Sequence, residues 1–417
     1  MKKLLRKMAV SLAAVTALFI VPCGMVSAAT VHVNAAASSG IYDGSAENPF
    51  TSIQQGINAA SAGDLVTVAP GTYYECVSLK NGVNVASEQG PEVTIIDGMG
   101  GYVLGTYFDP QGSIVSSAEG FTVTNGSYLV VGVSFWGSYN RITLKNCIIR
   151  NGSTGVRASI MSQFTLENVV ISNTVQAIAA IWGVSPVLRN VTIDTADQGL
   201  WVYQTGVNLT NTSLTNTSLA MWAPYSGSVW GSHNNFFGYE TLASGNLYTD
   251  LTDSVSVDPL FVSAPVDYRL KQGSPLIDAG INIGLSYYGA APDIGAYEAY
   301  PATPEEQVAA LASSVTSSSP EVFRTPAEQR RKALYNQLMA VLNQLETLNH
   351  KATATVRKGV LTGIVSKLQY DILPKADGFF GGNPANDWIT SPSEQKEFYP
   401  RVTQLIDTLK ADIASLP

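Results

Sequence analysis

The sequence predicts a mainly β chain, a right-handed parallel β-helix followed by a small α-helical bundle. Two observations predict the β-helix. Ile142-Thr-Leu-Lys-Asn146, Phe164-Thr-Leu-Glu-Asn168, Pro186-Val-Leu-Arg-Asn190 and Val207-Asn-Leu-Thr-Asn211 superpose at offsets of 22, 22 and 21 residues, with Val229-Trp-Gly-Ser-His233 as a weaker fifth copy. Each copy combines strand-forming Leu, Val, Ile and Thr with turn-forming Asn and Gly and lacks helical periodicity, the pattern of a solenoid of short parallel strands. The third observation predicts the bundle: beyond Pro326 the apolar spacing turns helical, with Leu334, Leu338, Val341, Leu342, Leu345 and Leu348, then Val360, Ile364, Leu368 and Ile372.

The chain opens with Lys2, Lys3, Arg6 and Lys7, an apolar run from Met8 to Pro22 and small residues to Ala29. That order reads as a secretory signal peptide over residues 1–29, with an apolar part too short to span a bilayer. Export from a bacterial cytoplasm is the expectation, to a secreted or cell-surface location with no transmembrane segment after the signal is removed. Residues 30–300 then form the β-helix. Within it, residues 31–75 read as strand, short amphipathic helix and strand, a cap for the open apolar end of the solenoid.

Each coil contains further strands. After the first corner come Cys147-Ile-Ile-Arg-Asn151, Val169-Val-Ile-Ser-Asn173, Val191-Thr-Ile-Asp-Thr195 and Thr212-Ser-Leu-Thr-Asn216, and a third strand follows at Val156, Ile178, Leu200 and Met221. Alternation places Leu144, Leu166, Leu188 and Leu209 inside, together with Ile149, Ile171, Ile193 and Leu214. The corner residues Asn146, Asn168, Asn190 and Asn211 tolerate left-handed backbone, and their stacked amides are expected to bond the backbone of the next coil.

Residues 301–325, with Pro301-Ala-Thr-Pro304 and a serine-rich run from Ser313, read as a linker, and residues 326–417 as the bundle. Its last helix carries Tyr399, Val402, Leu405, Ile406 and Leu409. Such amphipathic stripes bury against each other.

The N-terminal phrases Asp43-Gly-Ser-Ala-Glu-Asn-Pro-Phe50 and Ala69-Pro-Gly-Thr-Tyr73 closely resemble the start of secreted bacterial β-helix proteins of the domain-of-unknown-function 1565 and nitrous-oxide-accessory types. Asp258-Pro-Leu-Phe261, Gly273-Ser-Pro-Leu-Ile-Asp278-Ala-Gly280 and Asp293-Ile-Gly-Ala-Tyr-Glu298 resemble the closing motif of choice-of-anchor Q proteins. The resemblance implies a pectin-lyase-like solenoid and specifies no reaction. That family carries a longer insert where this chain has only residues 281–292, and the carboxylates here read as caps of turns and of the last coil. The loop from Asp371 to Thr390 resembles a helical module of secreted bacterial proteins whose loops carry cysteines. Here Phe379 and Ser391 stand in that neighbourhood, so no disulfide is expected. Asp377, Asn383, Asn386 and Asp387 form a weak candidate set of oxygen ligands for calcium, beside their commoner use as caps and turn formers. Beyond that, no cofactor is expected.

Composition excludes other functions. Without the signal, 20 Lys and Arg face 32 Asp and Glu, a net charge of about −12 with no basic cluster, which removes the electrostatic term nucleic-acid binding needs. His32, His233 and His350 are scattered, so no zinc set exists, and Cys147 aligns with inward Val169 and Val191 as a buried thiol.

Parallel β-helices host polysaccharide lyases and glycosidases, each with its own signature phrases. The Asn-Thr-Asp, Asp-Asp and His-Gly phrases of polygalacturonases are absent, as are the Trp-Ile-Asp-His and Arg-x-Pro-x-x-Arg phrases of pectate lyases. Asp194 and Asp197 are a carboxylate pair by proximity alone, against the separation of about 5–9.5 Å that paired-acid hydrolysis uses. Lys145, Glu167 and Arg189 stack with alternating sign as an exposed ion ladder. A second outward column holds Arg157, Ala179, Trp201 and Trp222, with Tyr203 on the same face as Trp201. Stacked outward indoles form a platform for sugar rings, or a surface that a loop, the bundle or a partner covers. Trp201, Trp222, Tyr203 and Arg157 are therefore the candidate carbohydrate-binding residues, and catalytic residues are unknown. The reading is a secreted or cell-surface binding or structural module with polysaccharide as its candidate ligand. The alternatives are a divergent polysaccharide lyase or glycoside hydrolase, and an envelope module that docks a protein.

Overall fold

A computed structural model describes residues 28–38, 40–106, 113–133, 139–183, 185–287, 289–299, 303–348 and 353–416. Residues 1–27, most of the expected signal peptide, lie outside the described residues. Among those described, no helix is long and apolar enough to cross a membrane.

The repeats stack as a parallel β-helix. Leu144, Leu166, Leu188 and Leu209 are direct register partners on successive coils, as are Ile149, Ile171 and Ile193 with Leu214. All eight are fully buried, in one continuous core that runs from Val33 to Phe236. The weak fifth copy keeps its place, because His233 has the left-handed φ of 55° that Asn146, Asn168, Asn190 and Asn211 adopt at the same corner. In its strand Gly231 stands where the other copies have Leu: a Cβ there would meet the Leu209 carbonyl oxygen at 1.7 Å.

The corner asparagines differ from the expectation in one respect. Asn168 Nδ2 donates to Asn146 Oδ1 (3.1 Å), Asn190 Nδ2 to Asn168 Oδ1 (3.2 Å) and Asn211 Nδ2 to Asn190 Oδ1 (3.0 Å), so the amides bond one another rather than the next coil's backbone. The cause is geometric: identical side chains one rung apart, about 4.8 Å, are spaced for donor-to-acceptor contact. Asn190 sits inside the ladder, 2% exposed with φ 52°. Asn190→Ala leaves one acceptor and one donor short of a partner and holds alanine left-handed, so it is expected to destabilise by about 2 kcal/mol in urea titration. Asn190→Gly, which relieves the backbone term, should lose less.

On the outer face of the same sheet the ion ladder forms, with Lys145 Nζ 3.0 Å and Arg189 Nη1 3.3 Å from the two Glu167 carboxylate oxygens. Both basic partners are more than 40% exposed, which keeps each pair within about 1 kcal/mol.

At the N-terminal end, strand Thr30–Val33 starts the stack and helix α1, Ile53–Ala59, closes it with buried Ile53 and Ile57. Ser52 caps α1, and the Glu75 carboxylate accepts the Ile53 and Gln54 N–H groups at 2.7 and 3.0 Å, as an anion at a helix start should.

The closing segment corrects the expectation that it caps the last coil. It folds back along the outside of the second sheet instead: Tyr268 packs on Val170, Ala296 N donates to Thr192 Oγ1 (2.9 Å), and Asn211 exchanges hydrogen bonds with the Ile281 backbone. Apolar outward residues such as Val170 draw it there, since only a cover removes them from water.

The linker expectation is also corrected. Residues 304–317 form helix α2, Pro304–Ser317, with a capping box between Thr303 and Glu306 and with Val308, Leu311, Ala312 and Val315 buried. That 3-1-3 apolar spacing is a helical stripe hidden among serines. Helices α3 (Ala327–Leu348), α4 (Ala354–Lys367) and α5 (Pro392–Ser415) complete the bundle. Its core, with Leu334, Leu338, Val341, Ile364, Val402 and Leu405, is separate from that of the β-helix. The bundle meets the β-helix through polar contacts, Ser286 Oγ to Glu397 Oε1 (3.2 Å) and Lys396 Nζ to Ser87 O (3.4 Å).

Candidate functional site

The outer face of the third sheet carries the aromatic residues. Arg157, Ala179, Trp201, Trp222 and Ser244 are successive register partners, and the inward Val156, Ile178, Leu200 and Met221 beside them are buried. Trp201 and Trp222 stack with centroids 6.4 Å apart and planes 25° from parallel. Both are half-buried. The Trp201 Nε1 proton is screened from solvent and has no hydrogen-bond partner among the described residues, so this indole presents its face rather than its donor.

Tyr203 joins the pair edge-on, 6.2 Å from Trp201, and links it to two rings that sequence reasoning missed: Trp182 at 5.8 Å and Tyr225 at 5.0 Å. These two are the exposed members, at 50% and 60%. They occupy the sharp corner after the third strand, where Trp182 and Gln204 adopt φ of 56° and 52°. A signal existed, since Trp182, Gln204 and Tyr225 recur at the repeat spacing, but an aromatic residue in left-handed backbone is disfavoured and local propensity argued against it. The Trp182 Nε1 donates to Gln204 Oε1 at 3.0 Å and fixes the ring.

Arg157 does not join the tryptophans. Its guanidinium lies 5.2 Å over the Tyr128 ring and donates to the Tyr128 hydroxyl at 3.3 Å, and Tyr128 stacks on Tyr102. Between the two aromatic groups, Gln176 Nε2 donates to Gln198 Oε1 at 2.8 Å, and Ala179 is covered by its neighbours. The face therefore runs from Tyr102 through Arg157 and the glutamines to Trp222. Six rung spacings from Tyr102 to the Ser244 rung give about 29 Å. Rings, amides and one guanidinium on a straight, rigid ladder can stack on apolar faces and donate to oxygens. The polar contacts named above between the bundle and the rest of the chain lie elsewhere, at Ser87 and Ser286.

The proposed carboxylate pair does not form a site. Asp194 is buried and accepts from Thr195 Oγ1, Thr215 Oγ1, Asn216 Nδ2 and the Tyr268 hydroxyl at 2.7–2.9 Å, a saturated structural anion, whereas Asp197 is exposed on the rim of an open polar groove of about 320 Å³ beside Asn173 and Ser218. Among the described residues no three His, Cys, Asp or Glu side chains converge to hold a metal.

The calcium candidates serve local turns. Asp387 accepts from Gln395 Nε2 (2.8 Å) and Gly378 N (3.3 Å), Asn383 from Ala385 N (3.0 Å), and Asn386 is exposed. Asp377 is the exception, with Oδ1 unpartnered among the described residues and its carboxyl pushed up by burial and by Asp387.

In the closing segment the carboxylates cap turns. Asp278 Oδ1 accepts from the Ala290 and Ala291 amides, and Asp293 accepts from the Asp278 and Ala299 amides. Burial pushes Asp293 up to about 6, above the 3.8 of an exposed aspartate. Between those values the folded chain holds a proton that the unfolded chain has released, so stability falls as pH rises. The thermal midpoint is expected to drop between about pH 4 and pH 6, and Asp293→Asn to make that drop smaller; an unchanged slope contradicts the assignment.

The profile of a family described as "Periplasmic copper-binding protein (NosD)" matches residues 57–249, just under half of the chain. No curated protein matches. Among solved structures, the pectate lyase Pel9A is similar at 15% identity over 66% of this chain and 98% of its own, with a TM-score of 0.32. The pectin methylesterase from carrot is similar at 14% identity over 58% and 85%, with a TM-score of 0.38. That from Aspergillus niger is similar at 10% identity over 55% and 85%, with a TM-score of 0.37. Copper requires convergent thiolate, thioether or imidazole donors. His32 and His233 lie near opposite ends of the stack, Cys76 is exposed, and Cys147 is buried with its thiol pushed up to about 11, so the described histidines and cysteines do not converge on a copper centre.

Proposed function

We propose that the chain is an exported binding module that takes a polysaccharide along the outer face of its third sheet, with Trp201 and Trp222 as the stacking platform. One observation carries this reading: two stacked indoles, flanked by the exposed Trp182 and Tyr225, stand outward on adjacent rungs of a regular ladder. Large aromatic surface is rarely left in contact with water without use, and the apolar faces of sugar rings pack on such planes. Gln176, Gln198 and Arg157 supply donors along the same line. The rigid ladder costs no ordering entropy on binding, which favours an extended, repetitive ligand. Export accords with the leading basic, apolar and small-residue zones and with the periplasmic description of the family whose profile matches.

Affinity electrophoresis through soluble neutral and uronate polysaccharides tests the proposal. The intact chain is expected to be retarded by at least one polymer, and Trp201→Ala/Trp222→Ala to migrate freely. Equal retardation of the variant refutes the platform, and release of reducing ends or unsaturated products replaces this reading with a lyase or hydrolase.

A further inference from the structure

The two ends of the β-helix are finished differently. At the N-terminal end α1 covers the first rung, with Ile53 and Ile57 at most 1% exposed. At the other end the last rung is the strand Thr241–Thr252, which pairs on one side only among the described residues, with the preceding strand Thr205–Ser232. Its register shows that Ala243, Thr249 and Leu251 lie in the inward columns of Met221, Val229 and Gly231. Met221 and Val229 are fully buried, yet Ala243 and Thr249 are exposed, and Leu247 and Leu251 only partly covered. Leu242 and Tyr248 on the same strand are 37% and 67% exposed. The closing segment, which could have covered this rung, lies along the second sheet instead. Among the described residues the core therefore opens to water at this end, beside a strand edge with no partner on its outer side, the arrangement proteins ordinarily cover or charge.

We propose that this open rung is the contact of a homodimer in which a second copy meets it end to end about a two-fold axis. Such an axis, perpendicular to the solenoid, reverses strand direction and pairs the two terminal strands antiparallel. Charge permits it: Asp250 is the only charged residue in 241–252, and in a pairing centred on Asn246 or on Leu247, which keeps inward residues opposite inward ones, it falls opposite Leu242 or Ser244, not its own mate. The covered N-terminal end blocks head-to-tail stacking, so association closes at two copies rather than growing into a filament. An edge of twelve residues is about 40 Å long and, at about 10 Å wide, buries on the order of 800 Å² in total, the low end for a specific contact, so a weak, concentration-dependent dimer is expected.

Sedimentation velocity of the full mature chain from about 1 to 200 µM tests this, a range set for weak contacts. The expected result is a shift from monomer to dimer that stops at dimer. Thr249→Lys, which aims an ammonium into the open rung, and Tyr248→Glu, at a side chain 67% exposed, are each expected to raise the dimer Kd at least ~10-fold with an unchanged circular dichroism spectrum. A chain that stays monomeric throughout, species that grow beyond dimer, dimerisation undiminished in Tyr248→Glu, or an edge that pairs only with a strand of another protein overturns the proposal.

Discussion

Phe164→Ala is expected to lower the unfolding free energy by about 3–5 kcal/mol, read as the shift in urea midpoint multiplied by its slope. Phe164 is fully buried in the inward column of the first sheet, and its ring occupies the space over Gly132, where a Cβ would meet the ring carbons at 2.6 Å. The cavity cannot collapse easily, because the rungs above and below are pinned by ladder hydrogen bonds and by Ile142 in the same column. Total stability of a domain is about 5–15 kcal/mol, so one such loss is a large share of it. In a solenoid, whose energetics are nearest-neighbour, the loss should appear as an early transition of the coils around Phe164 as well as a shifted main transition. Gly132→Ala, whose added methyl presses on the same ring from the third sheet, should destabilise in the same region. A loss under about 1 kcal/mol for Phe164→Ala shows that the column repacks freely, contrary to the rigid ladder.

Trp201→Ala/Trp222→Ala is expected to weaken polysaccharide binding by about 30-fold or more, since truncating an aromatic anchor at the centre of a contact costs about 2 kcal/mol and 1.4 kcal/mol is tenfold. The single variants should not sum to the double, because each indole stacks on the other and its removal also frees the survivor to move. Tyr225→Ala, at the exposed rim, should cost less than either. Because both indoles are half-buried on the outside of a sheet, the double variant should keep its β-sheet circular dichroism. Loss of binding with loss of fold says nothing of the platform, so the comparison is made on the folded variant, with Tyr225→Ala as its graded control. Full affinity in the folded double variant removes these residues from the site.

The parts of the site that could be read from residues were those tied to the repeat. Trp201 over Trp222, Tyr203 beside them and the buried columns all follow from aligning one coil on the next. Arg157 aligned correctly but its guanidinium turns to Tyr128, a cation–π contact whose partner lies one rung back and in the neighbouring column. Trp182 and Tyr225 escaped because they stand at a corner, where the alternation of a strand no longer says which way a side chain points. Helix α2 escaped because its serines are loop-formers by composition, while its stability comes from four apolar residues that find partners only in the bundle.

The repeat by itself determined the solenoid, its register and its inward columns, since a periodic strand pattern has one way to bury its apolar face and a slip of one residue would expose every column. Only the tertiary structure decided where non-repeating chain comes to rest: the closing segment on the second sheet over Asp194, the bundle against Ser87 and Ser286, and, among the described residues, nothing paired on the outer side of the last rung. Those placements depend on contacts between residues far apart in the sequence, such as Tyr268 with Asp194, which no local pattern encodes.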